Sequence, residues 1–222
     1  MDPALIVLVV IGIAVAAYWG YRSRIERQEK VAKHTRAAAE NGWAYTGRDD
    51  SLADRFAGTP FGKGHSRAAD HAFTGEHRGR PFTAFEYRYE TGGGDSRSTN
   101  YVFTVAVVPL PRRMPGLQVA PETLRTKLLG HVGMRDLQLE SDEFNEMFRV
   151  DTEDERFAYA VLHPRMMQWL IDSPRAEYTP FRFEQGNLLA WHEGGIEAPK
   201  VTWMLGYLGD VLERVPASAW QD

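Results

Sequence analysis

Residues 62–82, GKGHSRAADHAFTGEHRGRPF, place three imidazoles, His65, His71 and His77, at an even spacing of six. Imidazole is the commonest metal ligand, and such a series raises the question of a shared ion. Ligand nitrogens must lie about 2 Å from one ion. Along a strand, six residues separate side chains by about 20 Å. Along a helix, six residues turn through about 600°, so successive histidines point to different sides. The spacing therefore predicts exposed strand and turn histidines and no metal. Gly62-Lys63-Gly64 and Gly92-Gly93-Gly94 suggest phosphate binding, but both lack the GxxxxGK[ST] spacing. Neither stands between a buried strand and a helix start, where backbone N–H groups would aim at phosphate.

Other chemistries fare no better. Paired carboxylates occur at Asp49/Asp50, Asp142/Glu143 and Glu153/Asp154/Glu155. Sequence neighbours diverge on a strand and differ by about 100° on a helix, so none forms an acid–base pair locally. No G-x-S-x-G elbow is present. The Asp151-Thr152-Glu153 run lacks the glycine and the final glutamate of a calcium loop. The chain has no cysteine, which removes disulfides, thiolate catalysis and cysteine-based metal sites and fits a reducing compartment. No cofactor is implied. The polar residues best placed to bind a ligand are His65, His71, Glu86 and Arg88, all around one hairpin. Phe85, Tyr87 and Tyr89 alternate on one face, and Met166, Met167 and Trp169 cluster further on. Both sets read as core before they read as binding surfaces.

The elements that would carry these residues follow from pattern. Strands at 69–77 and 80–90 flank Arg78-Gly79, a hairpin turn. Residues 91–99, TGGGDSRST, read as a mobile loop. Residues 100–110 are apolar on both faces, as in a central strand. Pro121-Glu122 open a helix running to about Leu129 and stopped by Gly130. A short strand covers 146–151. Thr152 to Glu155 have capping-box spacing before RFAYAVL. Pro164 begins a further helix, and Gln185-Gly186 turns a second hairpin. Lys200 to Val215 form an amphipathic closing helix. The alternation predicts an α+β domain, a mainly antiparallel sheet with covering helices after one N-terminal transmembrane helix. A small half-barrel capped by the C-terminal helix is the alternative. The divisions are 1–21 (anchor), 22–42 (basic juxtamembrane helix), 43–216 (soluble domain) and 217–222 (tail).

The anchor is ALIVLVVIGIAVAAYWGY, residues 4–21, eighteen residues without a charge. As a helix they span about 27 Å, close to a bilayer's hydrocarbon thickness. Tyr18, Trp19 and Tyr21 fall where aromatic rings favour the headgroup layer. Arg22, Arg24, Arg27, Lys30, Lys33 and Arg36 follow, against Glu26 and Glu29. The positive-inside rule then predicts a single-pass protein of the cell membrane, N-terminus outside and soluble domain in the cytoplasm. Residues 22–36 could also meet anionic lipid headgroups. Ala14-Val15-Ala16 resembles a signal-peptide cleavage site, but no basic region precedes the apolar run.

The whole chain has 26 basic and 30 acidic residues; residues 1–36 take six and three of these. The remainder carries 20 and 27, a net of −7, which gives no general attraction for nucleic acid. Two stretches, FAGTPFGKGHSRAADHAFTGEHRGRPFTAFEYRYE and FNEMFRVDTEDERFAYAVLHPRMMQWLID, resemble an uncharacterised bacterial family of short single-pass membrane proteins. That resemblance implies a membrane-anchored architecture and carries over no activity, cofactor or catalytic residue. Together these features predict a membrane-tethered, non-catalytic module for a protein or lipid partner. The alternatives are a membrane-face enzyme using residues of the first hairpin, and a small-ligand sensor.

Overall fold

A computed structural model describes residues 3–93, 98–127 and 134–220, with side chains described except at 3–10 and 125–127. One helix, α1 (Pro3–Asn41), opens the chain. It ends because Gly42 takes φ +70°, letting the Trp43 N–H turn back to the Ala38 carbonyl at 2.8 Å. The strands are β1 (Ala44–Arg48), β2 (His65–His77), β3 (Arg80–Thr91), β4 (Thr99–Pro109), β5 (Leu117–Pro121), β6 (Arg135–Leu137), β7 (Phe148–Thr152), β8 (Phe181–Glu184) and β9 (Asn187–Glu193). They form one sheet in the order β1-β2-β3-β4-β9-β8-β5-β7-β6, with every pairing antiparallel. The short helices α2 (Asp142–Met147), α3 (Glu155–Val161) and α4 (Pro164–Ile171) precede β8, and α5 (Ala198–Arg214) follows β9. The α+β expectation with a large antiparallel sheet holds.

Turn chemistry explains the hairpins. Arg78 and Gly79 take φ +50° and +73°, and Gln185 and Gly186 take +49° and +77°. Positive φ at both central positions gives the turn whose twist matches paired strands. Gly64 has a different task. A Cβ there would lie 2.1 Å from the Glu90 carbonyl oxygen, so only glycine lets the chain entering β2 press against β3. Within the Gly62-Lys63-Gly64 run, it is Gly64 that this close approach requires.

The sheet buries both faces. One packs against the helices: Val201, Met204, Leu205, Leu208, Val211 and Leu212 of α5 lie in a core with Phe73, Ala106, Leu188, Phe181 and Phe183. Each such side chain contributes about 1.5–3 kcal/mol on burial. Met166 and Met167 are buried in this core and Trp169 packs against it, so these residues are core rather than partner surface. The other face carries Phe85, Tyr87, Val105, Val107 and Leu189, covered by Leu52, Ala53, Phe56 and Phe61 from the β1–β2 connection.

Several expectations need correction. The helix read from Pro121 is instead β5 followed by a 3-10 turn at Glu122–Lys127. Its expected end, residues 128–130, lies outside the described residues, as do 94–97 of the β3–β4 loop. The strand read at 146–151 begins only at Phe148, because α2 occupies Asp142–Met147, capped by the Ser141 hydroxyl accepting from Phe144 N–H. Thr152 does not cap α3. Asp154 does, its carboxylate accepting from Phe157 N–H at 3.0 Å, while Thr152 ends β7. Residues 217–220 form a 3-10 turn, with the Trp220 carbonyl accepting from Arg112 at 2.7 Å.

The expected anchor occupies the first half of α1. Side chains of residues 3–10 lie outside the described residues. Ile11, Ile13, Val15, Tyr18, Trp19 and Tyr21 are all exposed. Among the described residues no helix is long and apolar enough to cross a membrane.

Candidate functional site

The covering of the second sheet face is incomplete. Cross-strand rows run Phe85–Val105–Trp191, then Tyr87–Phe103–Glu193, then Tyr89–Tyr101. The β1–β2 connection covers Phe85 and Tyr87. Past it a cavity of about 430 Å³ opens over Tyr89, Tyr101, Phe103 and Trp191. Tyr89 stacks on Tyr101 (centroids 5.0 Å, planes 15° apart) and lies nearly parallel to Phe103 (6.1 Å, 12°). This aromatic stack follows from residues alternating on β3 and meeting their partners on β4. Leu124 and Pro180 add apolar surface, and Lys63, Thr91, Tyr178 and Glu193 add polar groups.

A buried cation holds the floor. Arg182 is fully buried, its Cζ 5.2 Å from the Trp191 ring centroid and 5.7 Å from that of Phe61. Nη1 donates to the Thr59 carbonyl at 3.2 Å and to Gln118 Oε1 at 3.3 Å, and Nη2 pairs with Glu184 Oε2 at 2.8 Å. Burial lowers its pKa to about 10, partly offset by Glu184, so it remains charged at neutral pH. The guanidinium thus ties β8 to the chain entering the cavity at Thr59. Burial, then Tyr101 and Glu193, raise the Tyr89 phenol above its ordinary value, and burial lowers the Lys63 ammonium. Size and lining suit an apolar ligand with a polar end.

The four residues expected to bind a ligand are dispersed. His65 lies at the β3–β4 loop, its Nε2 2.8 Å from the Gly92 carbonyl. Arg88 pairs with Asp70 across β2 and β3 at 2.7 Å. His71 and Glu86 do approach each other, on the helix-covered face beneath α1. His71 Nδ1 bonds the Tyr45 hydroxyl at 2.7 Å, and its ring lies 4.6 Å from that of His34. Glu86 Oε2 accepts from Ile196 N–H at 3.0 Å, and Oε1 is 3.8 Å from Lys30 Nζ. Burial, then His71 and the lysines 30 and 33, lower His34 to about 4, with Glu86 opposing; burial also lowers His71. Neutral rings and a carboxylate engaged by backbone make this the joint where α1 docks. His77, at the far end of β2, joins neither group, and burial lowers it too.

Sequence reasoning set Phe85, Tyr87 and Tyr89 down as core. All three are buried in one core cluster, and Tyr89 also lines the cavity. Tyr101, Phe103, Trp191 and Arg182 were missed. A charged residue between two phenylalanines, Phe181-Arg182-Phe183, was the available signal.

No family model matches the chain, and no curated protein matches it. Among solved structures the chain is similar to the mycobacterial trehalose monomycolate transport factor A, TtfA, with a TM-score of 0.60 and 13% identity. The likeness covers 83% of this chain and 95% of that one. At that identity it shows a shared fold.

Proposed function

We propose that this chain is a membrane-tethered, non-catalytic module that binds the apolar part of a lipid. The observation that carries this is the aromatic cavity over Tyr89, Tyr101, Phe103 and Trp191. The likeness to a trehalose monomycolate transport factor agrees with a lipid-related role. So does α1. Residues 4–21 are uncharged, and their described side chains are exposed, as a segment surrounded by lipid requires. The basic residues after it orient the anchor with the N-terminus outside and the sheet domain in the cytoplasm, the single-pass arrangement of the family that the sequence resembles.

The test is retention of lipid. Full-length chain is taken through detergent exchange and gel filtration, and bound amphiphiles are read by mass spectrometry. Wild type should hold an amphiphile that Phe103→Asp loses. Equal lipid in both proteins, or none in either, removes the proposal.

A further inference from the structure

The cavity has a deep end and a mouth, and the two differ in chemistry. The deep end is formed by Trp191 (3% exposed), Thr59 (4%), Tyr89 (6%) and Pro180, all buried, with the Thr59 hydroxyl a polar group among them. The mouth carries the exposed Glu193 and Tyr178, with Lys63 and Thr91 half-buried. Charge is therefore placed where water reaches, and apolar surface where it does not. Space is limited as well. A space of about 430 Å³ is on the order of one acyl chain. Two long chains would need about twice that. The stacked rings of Tyr89, Tyr101 and Phe103 line one side of this space with aromatic carbon.

We infer that the cavity seats one unbranched acyl chain, tail first, with its polar head left at the mouth among Lys63, Thr91, Tyr178 and Glu193. This rests on the lipid-binding reading above and adds occupant, stoichiometry and direction. Burial of a chain by length has a recognisable signature. Each added methylene strengthens binding about fourfold until the floor is reached, and further ones add nothing.

The experiment uses full-length chain in phosphatidylcholine nanodiscs with photoactivatable fatty acids of ten to twenty carbons, below saturation. One set carries the diazirine at the terminal carbon, the other beside the carboxylate. Terminal probes should label Trp191 or Tyr89, and head-proximal probes Tyr178 or Lys63. Labelling should climb about fourfold per methylene and level off at the length that reaches the floor. Phe103→Asp should cut it at least tenfold; Tyr101→Lys, at a half-exposed position, serves if that variant does not fold. Head-proximal probes labelling the floor, or labelling independent of length, overturns the inference while leaving lipid binding intact. Adducts confined to α1 for every probe would sink the lipid-binding reading itself. Competition separates the sources of the chain. Displacement by lysophosphatidylcholine as well as by free fatty acid shows that a single-chain lipid is accepted, displacement by free fatty acid alone identifies the free acid, and both results support one-chain seating. Displacement by neither contradicts it.

Discussion

The guanidinium of Arg182 lies beneath the ring of Trp191, Cζ 5.2 Å from the centroid, with neither residue appreciably exposed. A full charge therefore supports the floor of an apolar cavity. Its partners are fixed: Glu184, Gln118 and the Thr59 carbonyl. Replacing it with alanine leaves a buried carboxylate and two acceptors without their donor. Arg182→Ala should lose about 3–5 kcal/mol in urea unfolding of the full chain. A loss below about 1 kcal/mol would show that water replaces the guanidinium freely.

Gly64 and Gly62 separate backbone strain from collision. Both take positive φ, +61° and +70°, but only at Gly64 would a Cβ strike backbone, 2.1 Å from the Glu90 oxygen. Gly62→Ala should cost about 1–2 kcal/mol from conformation alone. Gly64→Ala should cost about 3 kcal/mol or more, because strands must part. Thermal midpoints of the two variants check the order. Equal losses would mean that the entry to β2 can shift.

The docking of α1 should depend on pH. Buried His34 titrates near 4, below its ordinary 6.5, and His71 is lowered in the same direction. The unfolded or undocked chain then binds more protons than the folded one between these values. Stability therefore rises with pH through the window from about 4 to 6.5 and is lost as pH falls through it. The groups facing His34 are His71, Lys30 and Lys33, which disfavour its charge, and Glu86, which favours it. His34→Gln should flatten the slope of unfolding free energy against pH in that window. An unchanged slope would place the titration elsewhere.

On the proposed function, the basic stretch after residues 4–21 would offer charge to a membrane surface. Arg24, Arg27 and Arg36 are exposed and form no ion pair among the described residues, whereas Arg22, Lys30 and Lys33 pair with Glu26, Glu86 and Glu197. Each free cation near an anionic leaflet contributes about 1 kcal/mol, roughly fivefold in affinity. Fluorescence quenching by labelled phosphatidylserine in nanodiscs should fall when the three become glutamine, and fall with added salt. Insensitivity to both would confine this segment to setting topology.

What the sequence made legible is local. Arg78-Gly79 and Gln185-Gly186 announce their turns because positive φ has few solutions. The stripe of α5 announces itself because a helix packed on one side repeats every 3.6 residues. The cavity announces nothing. Its walls come from β3, β4 and β9, from Thr59 and Lys63, and from Leu124, Tyr178 and Pro180, residues that no periodicity connects. Tyr89 looked like Phe85 and Tyr87 because alternation reports a face, not what covers it. Nothing in the basic stretch 22–36 marks His34 as buried, since its burial depends on α1 lying against β1 and β2. Thr152 and Asp154 competed for the same cap, and the pairing of β7 with β5 settled it by holding Thr152 in the strand.

The strand order carries one more consequence. The hairpin β8–β9 sits in the middle of the sheet, between β4 and β5, yet is the last pair made on the ribosome. Until residues 181–193 emerge, β4 and β5 each present an unsatisfied hydrogen-bonding edge, and Trp191 and Arg182 are missing. The two parts of the sheet are joined only through this hairpin. A polypeptide truncated before Phe181 therefore lacks more than its last strands: it has two exposed edges prone to pairing with neighbours. Completion of the aromatic cavity and closure of the sheet therefore wait on the same hairpin.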